Sequence, residues 1–173
     1  MKKLMLFAAL VVLIVSVQAQ TNEKKNKKEI KAEKKAQQIA ETKMLVDSKS
    51  FVFDASTANP MKGRTVNLST DYQLTIKNDS VNSYLPYYGV AYSGAAYGGG
   101  DSPMVFKQPL ESYSSEVTKK GYMVKFKAKN GNDVIDGTLH ISETGSTSLS
   151  VSSMNRQSIT YFGNLTKIEE EKK

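Results

Sequence analysis

Tyr122-Met123-Val124-Lys125-Phe126-Lys127-Ala128-Lys129 alternates apolar and polar side chains and is followed at once by Asn130-Gly131. A period of two puts Tyr122, Val124, Phe126 and Ala128 on one face and the lysines on the other, as in a strand with one buried face. Asn-Gly between apolar runs is the strongest short hairpin signal. Val134-Ile135 and Leu139-Ile141 supply the return strand, with Gly137 marking a bulge or bend between them. Downstream, Glu143–Ser146 turns the chain, Leu149 and Val151 form a strand, Asn155-Arg156 turns again, and Ile159 with Tyr161 forms the last strand. Upstream, Tyr72, Leu74 and Ile76 alternate with Gln73, Thr75 and Lys77 before an Asn78-Asp79 turn leading to Val81 and Tyr84. Phe51 and Phe53 make a short first strand, Asp54 to Pro60 reads as a loop with Asn59-Pro60 as its turn signal, and Met104 to Lys107 reads as a further strand.

Strands of this length with closely spaced turns describe an antiparallel meander of about eight strands. Such a sheet buries one face by closing into a barrel or folding into a sandwich. The fold class expected is mainly β: an up-and-down meander forming a small lipocalin-like barrel, with a sandwich as second choice, preceded by an N-terminal α-helix. Short turns between consecutive strands favour the barrel, because a Greek-key sandwich needs long crossovers.

The chain has 173 residues, enough for a single domain with its own core. It has no cysteine and a single histidine, His140, which excludes disulfides, thiolate metal sites, cysteine nucleophiles and multi-histidine metal clusters. Met1-Lys2-Lys3 precedes an apolar run from Leu4 to Val17 broken only by Ser16, and Val17-Gln18-Ala19 presents modest side chains for a peptidase. This reads as a signal peptide over residues 1–19, cleaved after Ala19, because the run is shorter than the roughly 20 residues of a spanning helix. The alternative is an uncleaved anchor. Cleavage leaves no transmembrane segment in the mature chain and predicts export to the periplasm or cell envelope of a Gram-negative bacterium.

Residues 20–46 are rich in Lys, Glu, Gln and Ala and read as a helix or tether, with Ile30, Ile39, Ala40, Met44 and Leu45 as its apolar positions. Residues 20–44 hold eight lysines against four glutamates, whereas residues 45–173 hold 14 basic and 13 acidic side chains. The basicity thus belongs to one segment. Its lysines, within residues 24–43, suit an anionic envelope surface, and the opposed reading is a solvated helix whose interleaved glutamates dilute the charge. The near-neutral body, residues 47–168, has no basic groove legible from spacing, so nucleic acid is not an expected partner. Residues 169–173 read as a charged, solvated tail.

Five of the nine tyrosines, Tyr84, Tyr87, Tyr88, Tyr92 and Tyr97, fall within residues 84–100, which end in Gly98-Gly99-Gly100. A tyrosine offers a flat apolar face and a hydroxyl, so the cluster suits a small amphipathic or glycan-type ligand. The opposed reading is that these rings are strand and corner packing and that the glycines are a turn. A concave wall shared by the rings favours the first reading, and full burial favours the second.

Tyr84-Leu85-Pro86-Tyr87-Tyr88-Gly89, the glycine-rich stretch after it, and Ser153-Met154-Asn155-Arg156-Gln157-Ser158-Ile159-Thr160-Tyr161-Phe162-Gly163 resemble an uncharacterised family of exported bacterial proteins, domain of unknown function 4251. The resemblance covers about residues 40 to 168, and the Leu-Pro-Tyr run is its most specific part. The family's usual Tyr-Phe-Gly stands here as Tyr87-Tyr88-Gly89. The resemblance implies a secreted or periplasmic β-rich protein and no particular activity.

Catalytic patterns are missing from the sequence. His140 alternates with Leu139 and Ile141 and so faces the other way from them, to solvent or into the interior of a hollow barrel, and the chain has no Gly-x-Ser-x-Gly elbow, Ser-x-x-Lys pair, phosphate loop or calcium loop. Asp133 and Asp136 form a conceivable carboxylate pair, but acids at a hairpin start are ordinary turn residues. No enzyme activity and no cofactor are expected. Asp79-Ser80-Val81 looks like a three-residue acceptor for O-glycosylation at Ser80, in a turn that an enzyme can reach. Two classes of function remain: a non-catalytic binding module using the tyrosine-rich segment, or an envelope structural or protein-interaction module with no small ligand.

Overall fold

A computed structural model describes residues 27–92 and 104–169. The expected signal peptide, Tyr97 with the glycine run after it, and the end of the charged tail lie outside the described residues. The chain divides into two compact units, Met1–Gln37 and Gln38–Lys173. In the first, residues 27–37 are helical and solvent-exposed, in keeping with a sequence polar on every face.

The second unit contains the last turns of that helix, α1 (residues 27–47), and eight strands. These are β1 (Ser50–Pro60), β2 (Val66–Lys77), β3 (Ser80–Leu85), β4 (Met104–Thr118), β5 (Gly121–Asn130), β6 (Asp133–Ser142), β7 (Ser146–Ser153) and β8 (Arg156–Thr166). Every strand pairs antiparallel with its sequence neighbour, and β1 pairs antiparallel with β8, so the meander closes into a barrel. Closure satisfies the backbone groups that an open sheet leaves at its two edges.

The β5–β6 hairpin follows the alternation closely. Val124, Phe126 and Ala128 are buried, Lys125 and Lys129 are exposed, and the register runs unbroken from Gly121↔Ser142 to Asn130↔Asp133. The two residues that turn are Gly131 and Asn132, one position later than the Asn-Gly dipeptide suggests, and Gly131 carries the positive φ of 62° that the first corner of a type II′ turn demands. Gly137 is not a bulge. It pairs with Phe126, whose ring fills the space a β-carbon would need, at 2.1 Å. Two strands are also longer than the sequence suggests. β1 continues through the expected loop to Pro60 by way of a register shift at Ala55/Thr57, and β4 continues to Thr118 through mostly exposed polar residues.

The barrel interior is filled by side chains. Phe51, Phe53, Leu74, Ile76, Val81, Val124, Leu139, Leu149 and Tyr161 are at most 1% exposed. Burial of each such side chain contributes roughly 1.5–3 kcal/mol, and an eight-stranded barrel is just wide enough for its interior to be filled in this way. At the end where β1 begins, the last turns of α1 cover the core. Thr42, Leu45 and Val46 are buried, while Met44, an expected apolar contact, is 56% exposed because it lies on the opposite face of the helix. The linking residue Lys49 (φ 50°) accepts a hydrogen bond at its carbonyl from the Asn78 amide and sets its ammonium 5.1 Å from the centroid of the Tyr113 ring.

The Tyr113 hydroxyl is buried with no hydrogen-bond partner among the described residues. Burial, followed by the charge of Asp47, pushes this phenol up to about 12. Because its folded value exceeds its ordinary value near 10, stability is fully present below about pH 10 and falls as pH rises toward about 12. Tyr113→Phe keeps the ring under Lys49 and removes the orphan hydroxyl. We expect a gain of about 1 kcal/mol at neutral pH and a shallower loss of stability in alkali, both read from urea midpoints measured between neutral pH and alkali. A less stable variant contradicts this account.

Candidate functional site

The described tyrosines of the 84–100 segment do not share one wall. Tyr87 is 4% exposed and belongs to the core, Tyr88 is half-buried against it, Tyr84 is 50% exposed and Tyr92 is 66% exposed. The split follows from local geometry. Tyr84 is an outward position of β3, between inward Ser83 and Leu85, whereas Pro86 and Tyr87 follow the strand's end and fold over the barrel mouth.

That cover is held by backbone as well as by side chains. Tyr161, inside the barrel, donates its hydroxyl to the Pro86 carbonyl at 2.8 Å. The Tyr87 hydroxyl shares its proton between the carbonyls of Gln157 (2.9 Å) and Val90 (3.0 Å), with the Arg156 guanidinium 5.2 Å from its ring centroid. The Tyr92 amide donates to Asn155 and the Gln157 amide to Val90, so residues 90–92 run alongside the β7–β8 turn. Burial raises the phenol of Tyr87 above its usual range, although the backbone of Gln157 and the Arg156 guanidinium oppose the shift. Tyr161 is raised further for the same reason, so both remain neutral hydrogen-bond donors. Sequence reading places Tyr87 in the segment but does not anticipate the roles of Pro86 and Arg156, because only the closed barrel brings residue 161 beneath residue 86.

One recess lies on the outer wall. A groove of about 1290 Å³ runs between the last turns of α1 and the outward side chains of β1, β2, β3 and β8. Val52 and Leu45 are apolar parts of its lining, and Asp71, Gln73, Asn82 and Asn164 are polar parts. Asp54 is held by the Thr166 hydroxyl at 2.6 Å, and Lys167 pairs with Glu41 at 2.9 Å. Outside that lining, Tyr72, partly buried against the core, stacks on Tyr84, with ring centroids 5.5 Å apart. Tyr72 lies between groove residues Asp71 and Gln73 in sequence, and Gln73 is the cross-strand partner of Tyr84. In the sequence Gln73 shows only polar parity within an expected strand, and Asp71 and Asn164 fall beyond the expected strands.

The other positions singled out from sequence are separate. His140 is exposed on the outer face of β6, beside Tyr122 and Phe162 in a shallow depression of about 510 Å³. Asp133 accepts from the Ser153 hydroxyl, and Asp136 pairs with Lys127, so the two acids have different partners and do not converge. Ser80 opens β3 directly after the Asn78-Asp79 turn and donates to the Lys77 carbonyl at 2.9 Å. Among the described residues, no three of His, Asp and Glu are grouped as around a metal ion.

Fold and site together define a closed up-and-down β-barrel with a packed interior, a covered mouth and a polar groove on its outer wall. The chain belongs to the DUF4251 family: the family model, described as a domain of unknown function, matches residues 33–165. The fold is similar to the crystal structure of a DUF4251 family protein from Bacteroides eggerthii DSM 20697, with a TM-score of 0.60 at 13% identity, over 75% of this chain and 87% of that one. No curated protein matches the chain.

Proposed function

We propose that this chain is an exported, non-catalytic binding protein of the bacterial periplasm or envelope that takes a small amphipathic or glycan-type ligand on the outer wall of its barrel. The observation that carries this reading is the filled interior: Phe51, Phe53, Leu74 and Tyr161 occupy the volume in which a hollow barrel holds a ligand, and α1 and Pro86-Tyr87 cover its ends. The groove beside α1 offers the space that the interior does not. Export is supported by the charged start and the short apolar run Leu4–Val17. A non-catalytic role is supported by the isolation of His140 and the separate engagements of Asp133 and Asp136. Within the tyrosine-rich segment, Tyr84 presents its ring beside groove residue Gln73, Tyr92 is exposed at the β7–β8 turn, and Tyr87 holds the frame.

A second reading, an envelope interaction module engaging an anionic surface or partner through residues 24–43, is favoured by the exposure of Lys31, Lys34 and Lys35 on α1. Native mass spectrometry of protein recovered from its own cell envelope tests both readings. We expect a retained small molecule that Asn164→Arg, an exposed change inside the groove, removes without loss of fold. Retention of that molecule by Asn164→Arg overturns the groove. Loss of envelope association only on charge reversal at Lys31, Lys34 and Lys35 favours the second reading instead. The same spectrum tests Ser80: we expect added hexose-type mass on the native chain, and the bare mature mass contradicts it.

A further inference from the structure

We infer that the groove is built for a neutral glycan chain, seated with one sugar ring against the Tyr72–Tyr84 stack and its hydroxyls among the side chains of β2 and β3. The inference rests on the groove being the binding surface and adds to it the class of ligand.

Charge is the first discriminator. Lys167 is the lysine of the groove lining, and Glu41 neutralises it at 2.9 Å, whereas Asp54, Asp71 and Glu169 also line the groove. An anionic ligand such as a phosphate or a lipid headgroup meets no uncommitted cation there. The second discriminator is the hydrogen-bonding inventory. Gln73, Asn82 and Asn164 each carry a carbonyl acceptor and an amide donor side by side, and Asp71 adds an acceptor pair. Neighbouring sugar hydroxyls, each both donor and acceptor, match groups of this kind. The third is the platform. Tyr84 stacks on Tyr72 with 27° between the rings, stands half-exposed, and faces Gln73 across one strand pair and exposed Val105 across the other. A flat aromatic shelf beside an amide fits a pyranose, which has an apolar C–H face and a polar rim.

An extended basic peptide is the strongest rival, since carboxylates are present. Such a peptide normally gains affinity by adding a strand to a free sheet edge, and groove residues Asp54, Gln73, Asn82 and Asn164 are each paired across both sides of their strands. Asp54 is also already engaged by Thr166.

The test is isothermal titration of the mature chain with a panel of neutral hexasaccharides, covering glucans, mannans, xylans and N-acetylglucosamine oligomers, and with an oligolysine peptide. We expect at least one hexasaccharide to bind, with affinity falling about ten-fold or more in Tyr84→Ala and in Gln73→Ala. Tyr84→Phe should retain it, and His140→Ala, in a separate depression that shares no lining residue with the groove, should leave it unchanged. Circular dichroism and the melting temperature of each variant separate lost binding from lost fold. No binding across the panel, binding indifferent to Tyr84→Ala, or tighter binding of oligolysine each overturns the inference. If Asn164→Arg strips an envelope-derived molecule while the panel fails, the ligand class is wrong and the groove stands. If that variant retains the molecule, the groove itself is wrong.

Discussion

Gly163→Ala is expected to destabilise the barrel by about 3 kcal/mol or more, near or beyond the upper end of ordinary overpacking effects. A β-carbon at this position would lie 1.8 Å from the Asp54 carbonyl oxygen, 2.8 Å from its carbon and 3.1 Å from the Ala55 α-carbon. All three are backbone atoms, so no side chain can rotate aside and the strands themselves must part. The site is the closing seam: Gly163 pairs with Ala55 of β1 on one side and Thr147 of β7 on the other. The register shift at Ala55/Thr57 draws β1 close at this point, and Ser56 bonds the neighbouring Phe162 carbonyl at 3.0 Å. A loss of this size lowers the melting temperature by roughly 6 °C or more. Gly137→Ala provides the contrast, because its new atom meets the Phe126 ring, a side chain able to shift, and the cost should be smaller. Equal melting temperatures for Gly163→Ala and the parent chain would sink this account of the seam.

The second large effect is expected at Tyr161. Tyr161→Ala removes a fully buried aromatic ring, and changes of that kind cost about 3–5 kcal/mol. Tyr161→Phe keeps the ring and deletes only the hydroxyl that reaches the Pro86 carbonyl, leaving a buried acceptor unserved at a cost of about 1–3 kcal/mol. The two variants should also differ in where the loss is felt. In Tyr161→Phe the amides of Tyr92 and Gln157, which tie residues 90–92 to the β7–β8 turn, should exchange with solvent faster than those of β5 and β6. In Tyr161→Ala protection should fall throughout the barrel. Uniform exchange in Tyr161→Phe would mean that the mouth cover does not depend on this bond.

The regions legible in the sequence are those where one buried face imposes period two. β5 and β6 read correctly because Val124, Phe126, Ala128, Ile135, Leu139 and Ile141 point inward while their neighbours meet water. The barrel itself followed from short turns joining consecutive strands. β4 beyond Lys107 was not legible because its residues are exposed or half-buried on both faces and carry no alternating apolar signal. Asn59-Pro60 is ordinarily a turn and gives no sign of a strand, whereas here Pro60 closes β1 opposite Ile159. The tyrosine cluster was visible as composition. Strand parity and chain reversal, rather than composition, send Tyr87 inward and Tyr84 outward. The groove was hidden for a different reason: Gln73 and Asn82 share the local β2–β3 hairpin, but Asn164 joins them only because β8 returns to β1, a juxtaposition that no local window contains.

The pairing of first strand with last also governs how the molecule comes into being. Ser56 reaches Phe162 across 106 positions of sequence, so β1 has no partner on one side until almost the whole domain has been synthesised. Until then the chain presents two unsatisfied strand edges, at β1 and at whichever strand was made last, and each is a template for another molecule. Non-local closure of this kind is slow relative to hairpin formation. The nascent chain is therefore most prone to aggregation just before completion, and its β8 acts as the latch that ends the exposure.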